Sequence, residues 1–123
     1  MQWVLVFLGG GIGAALRHGV NLSSPRLFGT AFPLGTLAIN VVGSLLMGVV
    51  AGWFLLRGDP LPAWRLFLAT GVLGGFTTFS AFSLEAVQLW QRGQAGLAAL
   101  YVGGSVLLSL AALCAGLALT RAL

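Results

Sequence analysis

Two phenylalanines and two serines recur at one spacing in the middle of the chain: Phe79 with Phe82, and Ser80 with Ser83, each pair three residues apart. Residues three apart share a side of a helix, and the rim of an aromatic ring carries partial positive charge. Two ring edges on one side could therefore face an anion without the grip of a full cation, although the plainer use of such a pair is packing. Just upstream, Gly74-Gly75 and Thr77-Thr78 supply flexible backbone and hydroxyls. The whole run, GGFTTFSAFS from Gly74 to Ser83, is poor material for an uninterrupted membrane helix. Irregular backbone at membrane depth persists only where it is buried in protein or lines a cavity. Broken helices of this kind hold ions through freed carbonyls and helix ends, so the run points to ion handling.

Polar residues elsewhere extend the pattern. Asn40 lies near the middle of a charge-free stretch, where an unsatisfied amide is costly; it is either an ion ligand or a hydrogen bond between helices. Ser44 follows one turn later on the same face. Tyr101, Ser105 and Ser109 are spaced by four, an aligned hydroxyl stripe in an otherwise apolar segment. Any one serine could bond back to its own helix; three aligned hydroxyls make a candidate polar track. Glu85 is the only carboxylate within a span, and intramembrane ionisable residues are functional suspects, but Arg92 soon after it places it near an interface. Arg17 could draw anions into an entrance or reach for the interface, and His18 beside it reads as an interface residue. Cys114 is the single cysteine, which excludes a disulfide framework or a metal set and is expected to be a small buried hydrophobe. Gly9-x-Gly11-x-x-Ala14 after WVLVFL mimics a dinucleotide fingerprint, but no acidic residue lies about twenty positions on. No nucleophile–base–orienter set exists, so no enzyme is expected.

The elements that must position these residues follow from composition. The chain has 123 residues, 59% hydrophobic and 7% charged, with a mean hydropathy of +1.03. A soluble surface takes roughly 25% charged residues, so the bilayer is the natural solvent. The expected fold is an all-α membrane protein, one domain over residues 1–123 with four transmembrane helices at about 2–20, 34–56, 64–91 and 95–120 and a break in the third. Pro33 suits the first turn of the second helix, which would span about 34 Å. Ser23, Ser24, Pro25 and Arg26 read as a loop, and Arg57-Gly58-Asp59-Pro60 as a turn extended by Pro62. The tryptophans Trp3, Trp53, Trp64 and Trp90 fall toward segment ends, as an aromatic belt would place them. Before the first segment there is no positive region of the kind that opens a signal peptide, so that segment is expected to be retained.

All six basic residues are arginines. They are isolated rather than clustered, which makes them interface anchors and not a nucleic-acid surface despite the net charge of +4. Four spans put Arg57, Arg65 and Arg121 on one side of the membrane and Arg17, Arg26 and Arg92 on the other. So even a split gives the positive-inside rule almost nothing to act on. A chain of this kind could insert both ways and pair with its own inverted copy, building from two chains the inverted repeat that larger transporters encode in one. Gly9/Gly13, Gly10/Ala14, Gly48/Gly52 and Gly71/Gly75 place small residues four apart, spacing that serves close contact within a chain as well as between copies.

Three runs, GGGIGAALRH (Gly9–His18), GTLAINVVGS (Gly35–Ser44) and GGFTTFSAFS (Gly74–Ser83), closely resemble the CrcB/Fluc family of bacterial fluoride channels. With the Tyr101/Ser105/Ser109 stripe, the resemblance covers all four spans. His18 stands where the family often has tyrosine, and Ala81 where threonine is frequent. The resemblance implies an antiparallel dual-topology homodimer with two fluoride pores in the bacterial plasma (inner) membrane, passively exporting cytoplasmic fluoride and lowering its toxicity. It implies a structural Na+ at the dimer centre, held by the backbone carbonyls of Gly74 and Thr77, each contributed twice. Asn40, Thr78, Phe79, Ser80 and Phe82 would line the fluoride path, with Tyr101, Ser105 and Ser109 as its polar track. Arg17 and Glu85 would lie near pore entrances. Two other readings stay open: a small proton-coupled multidrug exporter working as an inverted dimer, with Glu85 as its carboxylate, and a non-transporting assembly subunit.

Overall fold

Among the described residues, length and apolar character alone pick out four spans able to cross a membrane: Gln2–Phe28, Leu34–Arg57, Pro62–Gln91 and Ala95–Ala122. They are seen in a computed structural model that describes residues 1–58 and 62–123; of the expected central turn, Asp59 and Pro60 lie outside the described residues. Helices α1 (Gln2–Phe28), α2 (Leu34–Arg57) and α6 (Ala95–Ala122) are continuous. The third span is composite. A short α3 (Pro62–Arg65) passes into a π-helical segment (Leu66–Leu73), then α4 (Gly74–Phe76), and after a break α5 (Phe79–Gln91) completes it.

The break falls on the threonines, not on the glycines before them. Gly74 and Gly75 are helical, whereas Thr77 (φ −79, ψ 157) and Thr78 (φ −148, ψ 119) are extended. β-Branched side chains favour that backbone region. Thr78 then serves as N-cap of α5, its Oγ1 accepting from the Ala81 N–H at 3.2 Å, the usual way a threonine satisfies an orphan donor at a helix start.

Helix α1 continues past the expected end near Val20 and carries Ser23, Ser24, Pro25 and Arg26 in helical conformation to Phe28. Two features explain the extra turns. Ser24 is buried against the first turn of α2, where a Cβ on Gly35 would lie 2.7 Å from Ser24 Oγ. Pro25 forfeits one helical hydrogen bond, but it stands in the last turn, where little helix remains beyond it to be disrupted. The helix stops at Gly29, whose φ of 78 only glycine adopts freely, with its N–H donating to the Pro25 carbonyl at 3.0 Å.

Glycine spacing sets how the spans pair. Helix α1 packs on the π-helical segment backbone to backbone: a Cβ on Gly9 would lie 2.6 Å from the Phe67 carbonyl oxygen and 2.9 Å from Gly71 Cα. Helices α2 and α6 meet the same way, since a Cβ on Gly116 would lie 2.8 Å from the Val49 nitrogen. The Gly9/Gly13, Gly48/Gly52 and Gly71/Gly75 pairs are therefore spent inside the chain. Overpacking a close contact costs about 1–3 kcal/mol, so Gly116→Ala is expected to lower the thermal midpoint. Gly96→Ala, on the same helix where nothing lies within 4 Å, should leave it unchanged or raise it. Equal midpoints in a thermal melt would contradict this account of the α2–α6 contact.

The exterior is apolar. In the most apolar windows of α1 and α6 only 11% of residues are buried, and Trp3, Trp64 and Trp90 are exposed near span ends. The Arg57 guanidinium lies 4.1 Å from the centroid of the Trp53 ring, a cation–π contact fitting an interface anchor. One expectation is corrected: Cys114 is exposed, not buried. Helix α6 has a mean hydropathy of 2.1 over its best window, and a helix apolar all round gives no periodicity from which to read its inward face.

Candidate functional site

The break in the third span sits against α2, and one side chain holds it there. Thr78 loses its helical partners by becoming extended, and Asn40 replaces both. The Thr78 N–H donates to Asn40 Oδ1 at 2.9 Å, and Asn40 Nδ2 donates to the Thr78 carbonyl at 3.1 Å. Since the N–H can only donate, this pairing also fixes which way the amide points. Asn40 thus joins helices and holds the irregular backbone at once.

Beside this clamp runs an open groove of about 320 Å3, lined by Asn40, Thr77 and Thr78 at one end, Phe79 and Phe82 on α5, and Ser105 and Ser109 on α6. Gly43, Ser44 and Met47 of α2 complete much of its wall. No charged side chain is among its described lining residues. Phe79 and Phe82 touch, with ring centroids 5.6 Å apart and planes at 53°, but differ in setting: Phe79 is 78% exposed and Phe82 only 9%.

The two serines of α6 are unusual. Their hydroxyl oxygens are buried without a hydrogen-bond partner, although Ser23 and Ser83 bond back to carbonyls of their own helices. A buried unpaired hydroxyl costs about 1–3 kcal/mol. Both residues line the same groove, and neither hydroxyl has an acceptor among the described residues.

Other expected site residues lie apart from the groove. The third member of the hydroxyl stripe, Tyr101, is 1% exposed, and its hydroxyl donates to Glu85 Oε2 at 3.0 Å. Glu85 Oε1 accepts from Thr36 Oγ1 at 2.8 Å. Half-buried Glu85 is thus held by two neutral hydroxyls from α2 and α6. Ser80 is exposed, 3.4 Å from the Thr78 hydroxyl and not in the groove lining. Arg17 is half-buried within α1 and His18 is exposed; neither lines the groove. Gly74 opens the short α4 and Thr77 stands in the break that follows it. Thr36 was not legible as a site residue. The signal was present: it stands one turn before Asn40, as Ser44 stands one turn after, so three polar side chains share one face of α2.

Such a groove can offer hydrogen-bond donors to a small acceptor. It offers hydroxyl protons, one unused Asn40 amide hydrogen and electropositive ring edges, and no carboxylate of its own.

Comparison with known proteins agrees with this chemistry. The family model described as CrcB-like protein, Camphor Resistance (CrcB), matches residues 4–117. A protein of Rhodopseudomonas palustris (strain BisB5) named fluoride-specific ion channel FluC is 60% identical over 123 residues, covering 100% of this chain and 99% of its own. One of Nitrobacter hamburgensis, named fluoride-specific ion channel FluC 2, is 58% identical over 121 residues, 98% of each chain. A third, from Methylobacterium nodulans and also named fluoride-specific ion channel FluC, is 58% identical over 98% of this chain and 97% of its own.

Proposed function

The chain belongs to the CrcB-like protein family, and from that premise we propose that it is a fluoride-selective passive channel that releases cytoplasmic fluoride and so lowers its toxicity. The observation that carries the reading is an uncharged groove with two unpartnered buried hydroxyls, Ser105 and Ser109, beside two phenyl rings. Fluoride is small and strongly hydrated, so its path must replace water with donors and yet let the ion go. The serine hydroxyls and the spare Asn40 amide hydrogen supply the donors. The rims of Phe79 and Phe82 supply moderate partners from which an anion can leave. Hydrogen fluoride entering from acidic surroundings dissociates in a more neutral cytoplasm and leaves the charged ion trapped. A passive path is then enough to release it.

The working unit is an antiparallel dual-topology homodimer in the bacterial inner membrane, in contact with lipid. Support comes from the even split of arginines across the spans and from Phe79, which lines the groove yet is 78% exposed on one copy. A second inverted copy would cover that ring and close the groove's open side. The same arrangement suits a structural Na+. Thr77 is extended at the end of the three-residue α4 that Gly74 opens, and neutral carbonyl oxygens at an unwound helix are ligands for such a hard cation. Bound there, the ion supplies fixed positive potential without a mobile side chain. Elemental analysis of the purified dimer is expected to find retained sodium; an active dimer without it would remove the carbonyl site. A proton-coupled exporter draws no support from Glu85, which lies outside the groove lining with both oxygens engaged.

Efflux from liposomes tests the central reading: fluoride is expected to leave and chloride to stay, and no fluoride flux would overturn it. The serines give a sharper sign. Ser105→Ala and Ser109→Ala should each lower fluoride flux, by roughly tenfold, while the thermal midpoint holds or rises, because an unpaired buried hydroxyl costs stability. A fall in stability with unchanged flux would make these hydroxyls structural.

A further inference from the structure

Phe32 lies in the link between α1 and α2, outside both helices and outside the groove lining, yet its place is closely determined. Pro33 has φ −79 and ψ 64, and the Leu34 N–H donates to the Phe32 carbonyl at 2.8 Å. Those values define an inverse γ-turn centred on Pro33, and the proline ring fixes φ near that value without help from neighbours. The chain enters the link through Gly29 and leaves it directly into α2, whose Leu37 N–H reaches the Pro33 carbonyl at 3.2 Å. A turn fixed at both ends aims one aromatic side chain.

That side chain meets Tyr101 edge to face, with centroids 5.5 Å apart and planes at 88°. Tyr101 in turn touches Phe82 at 5.2 Å, and Phe82 touches Phe79 at 5.6 Å. Four rings therefore connect the α1–α2 link to the groove. Along this series the Tyr101 hydroxyl donates to Glu85, and nothing else in the described contacts of the Tyr101 ring is aromatic. These two ring contacts, one from the link and one from the groove, add to the aliphatic packing of Leu37, Leu97 and Ala98 on the buried cluster that holds Tyr101.

We propose that Phe32 is a positioning residue: through the turn at Pro33 it holds the Tyr101 ring so that its hydroxyl meets Glu85 and its face supports Phe82 in the groove wall. The inference rests on the channel reading for its effect on flux, but not for its effect on Tyr101. An aromatic ring is required at position 32, not simply apolar bulk. Leucine of similar apolar character would leave Tyr101 free to tilt.

Tyr101 is the only tyrosine in the chain, so the tyrosine Fermi doublet in the ultraviolet Raman spectrum of the purified protein reports the hydrogen bonding of this one hydroxyl. In Phe32→Leu the doublet is expected to shift away from the strong-donor ratio of the unaltered protein. Fluoride efflux from liposomes should fall by roughly two- to tenfold, the range that loss of one aromatic pair supports, and Phe32→Tyr should restore it. Should Phe32→Leu fail to fold, Phe32→Met, which fills the space with a flexible chain, carries the same comparison. An unchanged doublet in the non-aromatic variant would overturn the proposal, as would full flux from it or failure of Phe32→Tyr to restore what was lost. If the unaltered protein conducts no fluoride, the channel reading fails by itself, and the doublet alone still decides whether Phe32 orients Tyr101.

Discussion

Asn40→Asp is expected to reduce fluoride efflux from liposomes by about 100- to 1000-fold, with the protein still folded and its size-exclusion profile unchanged. The substitution keeps size and shape and exchanges one amide nitrogen for an oxygen. The remaining acceptor can still take the Thr78 N–H, but the other oxygen now faces the Thr78 carbonyl, where Asn40 Nδ2 donated at 3.1 Å. A negative charge has also entered a groove whose described lining carries none. At an effective dielectric of about 20, a unit charge about 4–6 Å from a passing anion costs roughly 3–4 kcal/mol, the quoted loss of rate. Asn40→Leu separates the two effects. It adds no charge, but leaves the Thr78 N–H and carbonyl unpaired at about 1–3 kcal/mol each, so its defect should be largely in stability. Size-exclusion profiles, thermal melts and efflux on the same preparations distinguish these outcomes. Unchanged flux in Asn40→Asp would remove position 40 from the anion path.

Asn40 was visible in the sequence because a polar side chain in a charge-free apolar stretch is expensive and must be satisfied. Its two partners were not, because they depend on Thr77 and Thr78 being extended, and no local spacing distinguishes a break at the threonines from one at Gly74-Gly75. The π-helical segment was equally silent: a wider turn needs no residue type that an ordinary turn excludes. In α6 the four-residue spacing aligned Tyr101, Ser105 and Ser109 correctly on one face, and the fold then divided them. The serines line the groove, while Tyr101 turns its hydroxyl to Glu85. The division follows from length, since a phenol reaches across to α5 and a serine hydroxyl cannot. Pro25 misled for a related reason. Proline and serines usually end a helix, but the contact of Ser24 with Gly35 rewards another turn, and that contact joins residues from two helices.

The phenylalanine pair gives the second large effect, and the two rings should fail differently. Phe79→Ile is expected to lower fluoride flux by up to about tenfold and to lower the thermal midpoint less than Phe82→Ile does, because this ring is 78% exposed within its own chain. Isoleucine is apolar and bulky enough to keep the wall closed, but it has no electropositive rim, and such edge contacts contribute about 0.5–1.5 kcal/mol each. Phe82→Ile should lose comparable flux and stability together. Phe82 is 9% exposed, touches Tyr101 at 5.2 Å and belongs to the buried cluster with Leu89 and Tyr101, so losing the ring also leaves a gap beside the Tyr101–Glu85 contact. Replacing a buried ring with a smaller side chain leaves a cavity, and large-to-small core changes of this kind typically cost at least 1 kcal/mol. Efflux at matched protein density and thermal melts in one detergent make the comparison. If both variants conduct at the rate of the unaltered protein, the rings are packing alone, and the anion must be carried by the amide and the serine hydroxyls without them.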